Sequence, residues 1–197
     1  MQELVKNVED LKNSEIKVLV GKRIKEFESV KDIFSELSFC ILTANFNAER
    51  AIKIQNEIKD GFLSYSEEKL EKELRRLGYR FPKLRSSFIV KARDYEFKRF
   101  KNGFEFREDL VKNVKGLGYK ESSHFLRNTG YKDVAIIDFH IVDLLVKHSI
   151  IENPRTLTKK KYLDIEDILR KISKKLDLNL AELDLYLWFL ETGKVLK

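Results

Sequence analysis

Apolar residues recur at three- and four-residue intervals along almost the whole chain, the spacing of amphipathic α-helices, and nowhere do they alternate long enough to mark a strand. Leu4, Val5, Val8 and Leu11, then Ile16, Val18, Leu19, Ile24 and Phe27, place helices between residues 2 and 29 whose remaining faces carry Lys and Glu. The run at about 32–43 is apolar on nearly every side, which predicts a helix at the centre of a core. Further helices are predicted over about 48–58, 66–77, 86–97, 105–114, 120–128, 139–148, 162–176 and 180–191. Gly78, Thr129-Gly130 and Glu152-Asn153-Pro154 punctuate them. The fold class is therefore all-α, without repeats or low-complexity tracts.

Charge changes this picture only mildly. A formal net charge of +7 and a pI near 9.3 favour an acidic partner, but 36% of the residues are charged and both signs are mixed throughout. The 197 residues suffice for one compact unit or two small lobes. The single cysteine, Cys40, excludes an internal disulfide and a four-cysteine iron–sulfur site, and its apolar surroundings read as a buried small hydrophobe. With 3 histidines and that one cysteine no zinc constellation is expected, and no cofactor or required metal. No long apolar run or signal-peptide pattern is found, so a soluble cytoplasmic protein is expected.

The chemistry concentrates between residues 111 and 140. Gly116 and Gly118 flank Leu117 in a turn between two helical patterns, and Lys120 opens the second of them. A Gly-X-Gly turn lets backbone N–H groups approach an anion, because no Cβ blocks the way and positive φ costs little. Asp138 follows the apolar run Val134-Ala135-Ile136-Ile137 and precedes a new helical pattern, the position of an N-cap. An amine and a carboxylate are thus both set by backbone geometry.

Lys115-Gly116-Leu117-Gly118-Tyr119-Lys120 resembles the helix-hairpin-helix of the base-excision glycosylase superfamily, and Ile136-Ile137-Asp138-Phe139-His140 resembles its downstream Asp motif. The 18-residue step from Lys120 to Asp138 is similar to that of members with lyase activity. Among these the chain looks most like the second, archaeal and bacterial family of 8-oxoguanine DNA glycosylase/lyases, whose further signatures stand here as ILTANFN at 41–47, ESSHFLRNTGY at 121–131 and DLYLWFLETGKVLK at 184–197. The resemblance implies a two-lobed helical fold with the active site in the cleft between lobes and the hairpin at about 105–130. It further implies action on double-stranded DNA that contains 8-oxoguanine, and a monomer in the cytoplasm at the nucleoid is expected. Phe139 departs from the basic residue usual between the Asp and the His of such relatives.

The residues fit that chemistry. Excision needs an electron-poor sugar C1′ stabilised while the base departs, and strand cleavage needs an amine that captures C1′ as a Schiff base. An ammonium is no nucleophile, and the positive potential at a helix start favours the neutral amine, which makes Lys120 the nucleophile and Asp138 the compensating anion. Taken alone, Lys120 reads first as a surface lysine and Asp138 as a structural cap; together, at the family spacing and beside Gly-X-Gly, they point to catalysis. For recognition of the oxidised base, the resemblance points to the terminal Lys197. Trp188 offers a stacking face, or is core. Gly116, Leu117, Gly118, Tyr119 and His140 are candidate contacts to the DNA backbone. Asn45 and Arg50 are placed to read the base left opposite, although Asn45 or Asn47 could simply cap the helix at 48–58. Phe81, beside Arg80, is the candidate wedge for the vacated stack, or a ring tucked under its own loop. A monofunctional glycosylase for another lesion and a non-catalytic DNA-binding module remain the rival readings.

Overall fold

The computed structural model describes residues 1–98 and 100–197. Among them are twelve α-helices and no strand. They fall into two compact units, one formed by residues 1–30 and 126–197, the other by residues 31–125.

In the first unit, α1 (Gln2–Lys12), α2 (Ile16–Glu28), α10 (Phe139–Lys147) and α11 (Lys159–Lys175) all pack on α12 (Leu180–Thr192). That helix buries residues on every side, from Leu180 and Ala181 through Leu183, Leu185, Tyr186 and Leu187. Each fully buried Leu contributes about 1.5–3 kcal/mol, so a helix apolar all round is stable only at the centre of its neighbours. A reciprocal cap opens α12: Glu182 N–H donates to Asn179 at 2.9 Å, and Asn179 N–H donates to the Glu182 carboxylate at 3.0 Å. Gly193, left-handed at φ 70°, closes it. One buried ion pair, Arg127 with Asp184, anchors the helix from within, with the guanidinium also bonded to Asn128 and stacked over Phe27.

The second unit is arranged around α3 (Ile33–Thr43), whose Phe34, Leu37, Phe39, Cys40, Ile41 and Leu42 are buried. Packed against it are α4 (Ala48–Ile58), α5 (Gly61–Ser64) and α7 (Pro82–Ala92), while α6 (Glu67–Arg76) pairs with α7. The end of α3 is satisfied from a distance, by Tyr79 Oη donating to the Leu42 carbonyl at 2.8 Å and Arg85 donating to the Ala44 carbonyl at 3.3 Å. Burial pushes the Tyr79 phenol up to about 12.

Three boundaries differ from the pattern-based expectation. The helix expected at 86–97 runs from Pro82 to Ala92, because proline at the first helical position is preorganised for the turn and lacks only an N–H that would be orphaned there. Its far end stops early; Arg93 follows, with its guanidinium on the carbonyls of Phe62 at 2.9 Å and Tyr65 at 2.7 Å. The basic run 159–161 forms the exposed first turn of α11 under a Thr158 cap, rather than a linker before it. Four residues are too few to show a period, and α5 was not predicted.

Candidate active site

The hairpin consists of α8 (Gly103–Asn113) and α9 (Tyr119–Asn128), within a residue or two of the predicted spans. Asn102 caps α8, accepting from Glu105 N–H at 2.9 Å. Arg107, 1% exposed, staples the two helices: its guanidinium donates to Ser123 Oγ at 3.1 Å and lies over the rings of Phe104 and Tyr119. The Tyr119 hydroxyl pairs with Glu108.

In the turn, Leu117 is buried and Gly116 stands at φ +97°, with a Cβ position only 2.5 Å from the Phe88 ring of α7. Only glycine meets both conditions, the left-handed backbone and the close approach. The Gly118 N–H donates to the Glu121 carboxylate at 3.3 Å, so a side chain of the protein itself sits where an anion was expected. Lys120, the second residue of α9, has a side chain 25% exposed and Nζ 3.9 Å from Glu121 Oε1.

The approach to Asp138 is built by α11. Residues Val134 to Ile137 are buried outside any helix, so their backbone polar groups need partners. Glu166, 1% exposed, accepts from Ala135 N–H at 2.7 Å. Tyr162 Oη donates to the Ala135 carbonyl at 2.7 Å and accepts from Ile137 N–H at 3.2 Å. Arg170 holds the Asp133 carbonyl at 3.0 Å. Residues 162, 166 and 170 repeat at four-residue intervals, one face of one helix, and together they fix the segment that delivers Asp138. Asp138 itself is the N-cap of α10, its Oδ1 accepting from Ile141 N–H at 3.1 Å.

Beyond Asp138 the first turn of α10 carries His140, whose ring lies 4.1 Å from that of Phe139 and meets Trp188 edge-on at 5.0 Å. Phe139 is 68% exposed. Trp188 is half-buried, and its Nε1 is shielded from solvent without a hydrogen-bond partner among the described residues. Lys197 is half-buried.

The remaining candidates gather on the second unit. Asn47, not Asn45, caps α4, accepting from Arg50 N–H at 3.0 Å. Asn45 is exposed at φ 58°, a left-handed position that asparagine tolerates. The Arg50 guanidinium donates to the Gly78 carbonyl at 2.7 Å and lies over Phe46, whose ring is 4.5 Å from Tyr79. These contacts join the α3–α4 junction to the loop that carries Arg80 and Phe81. Arg80 is exposed, with its guanidinium over the Phe81 ring; Phe81 is half-buried at the N-cap of α7. No group of three or more His, Cys, Asp or Glu capable of holding a metal occurs among the described residues. Among the described residues no helix is long and apolar enough to cross a membrane.

Sequence reasoning missed Glu121, Tyr162, Glu166 and Arg170. The last three were visible only as polar residues at helical spacing; what they bind lies 25 to 37 residues away.

Comparison with known proteins gives concordant matches. Residues 20–178 match a family model, Ogg-HhH, described as 8-oxoguanine DNA glycosylase. A Methanocaldococcus jannaschii protein named 8-oxoguanine DNA glycosylase/AP lyase is 54% identical over 98% of this chain and 99% of its own length. A Korarchaeum cryptofilum protein of the same name is 49% identical over 100% and 99%. The crystal structure of the M. jannaschii 8-oxoguanine glycosylase/lyase in complex with a 15mer DNA containing 8-oxoguanine matches with a TM-score of 0.96 at 53% identity, covering 99% of this chain and 100% of that one. The Thermotoga maritima 8-oxoguanine DNA glycosylase structure gives 0.93 at 44%, over 100% and 99%.

Proposed function

The chain belongs to the 8-oxoguanine DNA glycosylase family, and from that membership we propose that it is a bifunctional base-excision repair enzyme, an 8-oxoguanine DNA N-glycosylase and abasic-site lyase. Its substrate is double-stranded DNA holding 8-oxoguanine, and its place of work is the nucleoid. The observation that carries the reading is Lys120, a sheltered amine on the first turn of the hairpin's second helix, in a chain that matches such enzymes along its whole length.

The reaction uses only groups of the chain. Neutral Lys120 Nζ bonds to C1′ of the damaged nucleotide as the bond from C1′ to the base breaks, and the base leaves with the electron pair and takes up a proton. Loss of the Nζ proton and opening of the sugar give the Schiff base. The imine acidifies C2′; removal of that proton expels the 3′ phosphate by β-elimination, and water then frees the lysine. Asp138 offsets cationic character at the sugar while the base departs, and its orientation is fixed by the cap bond to Ile141. Lys197 and Trp188 read the extruded base; the indole N–H, dry and without a partner among the described residues, is a donor awaiting an acceptor. The hairpin turn and His140 hold the DNA backbone, Asn45 and Arg50 meet the base left opposite, and Phe81 beside Arg80 fills the gap in the stack. No cofactor enters this scheme, and one copy of the chain supplies every group.

The test is single-turnover cleavage of a duplex with one 8-oxoguanine. The wild-type chain is expected to release the base and cut on its 3′ side, and Lys120→Gln to leave the strand uncut. Base release without cutting by the wild-type chain would reduce the proposal to a simple glycosylase; an untouched base would end it.

A further inference from the structure

The mechanism above leaves one charged group next to the nucleophile unused. Glu121 follows Lys120 on α9, and its two carboxylate oxygens have different neighbours: Oε2 accepts from Gly118 N–H at 3.3 Å, and Oε1 lies 3.9 Å from Lys120 Nζ. Both side chains are mostly sheltered, 16% exposed for Glu121 and 25% for Lys120. A glutamate at the third position of a helix commonly reaches back to the N-cap N–H, and that alone would explain one oxygen. It does not explain the other. At the positive end of a helix a lysine is unfavourably placed unless an anion holds it, and the same lysine must shed a proton before it can react.

We propose that Glu121 is the positioning residue for Lys120: its carboxylate, tethered to the hairpin turn through Gly118, holds Nζ at the start of α9 and receives the proton that Nζ gives up before attack. In that step one N–H bond of the ammonium breaks and an O–H bond forms on Glu121. The freed lone pair then makes the bond to C1′ while the bond to the departing base breaks. At 3.9 Å the transfer passes through one bridging water or a small rotation of the lysine. The proposal rests on the reading of Lys120 as the nucleophile.

Glu121→Gln separates the two jobs, since a glutamine oxygen still accepts from Gly118 N–H but carries no charge and takes no proton. The probe is a duplex containing a preformed abasic site, scored by borohydride trapping in single turnover, with DNA affinity and Tm measured in parallel. Glu121→Gln is expected to bind DNA as well as the wild type and to keep its Tm, while trapping roughly 100-fold more slowly. Glu121→Ala is expected to be slow as well, and formate in the buffer to restore part of its rate. A wild-type rate in Glu121→Gln overturns the proposal, as does a slow Glu121→Ala that formate leaves unchanged; either would leave Glu121 a helix cap. Absence of any adduct with the wild-type chain would instead overturn the parent reading.

Discussion

Asp138 has a structural task and a proposed catalytic one, and substitutions can separate them. Its Oδ1 caps α10, a bond an asparagine can also make, and in the proposed mechanism its charge offsets the positive character that develops at the sugar. Asp138→Asn is therefore expected to keep the thermal midpoint close to that of the wild type while single-turnover base release falls by on the order of 100-fold or more. Asp138→Ala is expected to lose both, with about 1 kcal/mol of stability going with the cap. Comparing urea midpoints with rates in the two variants reads the tasks apart. Gly116 is a position with little tolerance. Its φ of +97° and the 2.5 Å approach of Phe88 make Gly116→Ala cost more than about 1 kcal/mol, measurable in the same denaturation series. The Asp138 cap and the Gly116 turn were legible in the chain itself, because a cap and a left-handed turn are local demands on one residue type.

Elements show where local reading ends. The start of α10 and the bounds of α4 follow from caps and periodicity, whereas α7 begins at Pro82 because a proline at the first helical position outweighs the basic, aromatic composition that reads as loop. The buried segment before Asp138 could not be understood locally, since its backbone is satisfied by a helix that begins more than twenty residues later. Tyr162→Phe removes both bonds of one hydroxyl and strands the Ala135 carbonyl and the Ile137 N–H. The expected loss is about 1–3 kcal/mol, together with slower base release at unchanged DNA affinity. Equal rates in Tyr162→Phe and wild type would show that α11 supports the fold but does not set Asp138.

Two properties belong to the whole molecule. The first is alkaline stability. The Tyr79 phenol is pushed up to about 12 when folded by its burial, the nearby Arg85 opposing the shift, against about 10 when unfolded. Between those values the native state binds more protons than the unfolded one, so stability is intact below pH 10 and falls as pH rises toward 12. Tyr79→Phe is expected to show a flatter urea midpoint over that interval, though a lower one at neutral pH through loss of the bond to Leu42. The second is the dependence of DNA binding on salt. For a chain of net charge +7 that meets a phosphate backbone, the logarithm of the binding constant should fall linearly with log salt, with a slope of about −0.9 per phosphate contact. Arg80→Ala is expected to weaken binding and lower that slope by about one.

Covalent capture tests the central claim most directly: the adduct with an 8-oxoguanine duplex is reduced with borohydride, digested, and the DNA remnant located by mass spectrometry. The remnant is expected on the peptide that contains Lys120. Its appearance on another lysine, or on the Met1 amine, would contradict the assignment of the nucleophile and the mechanism derived from it.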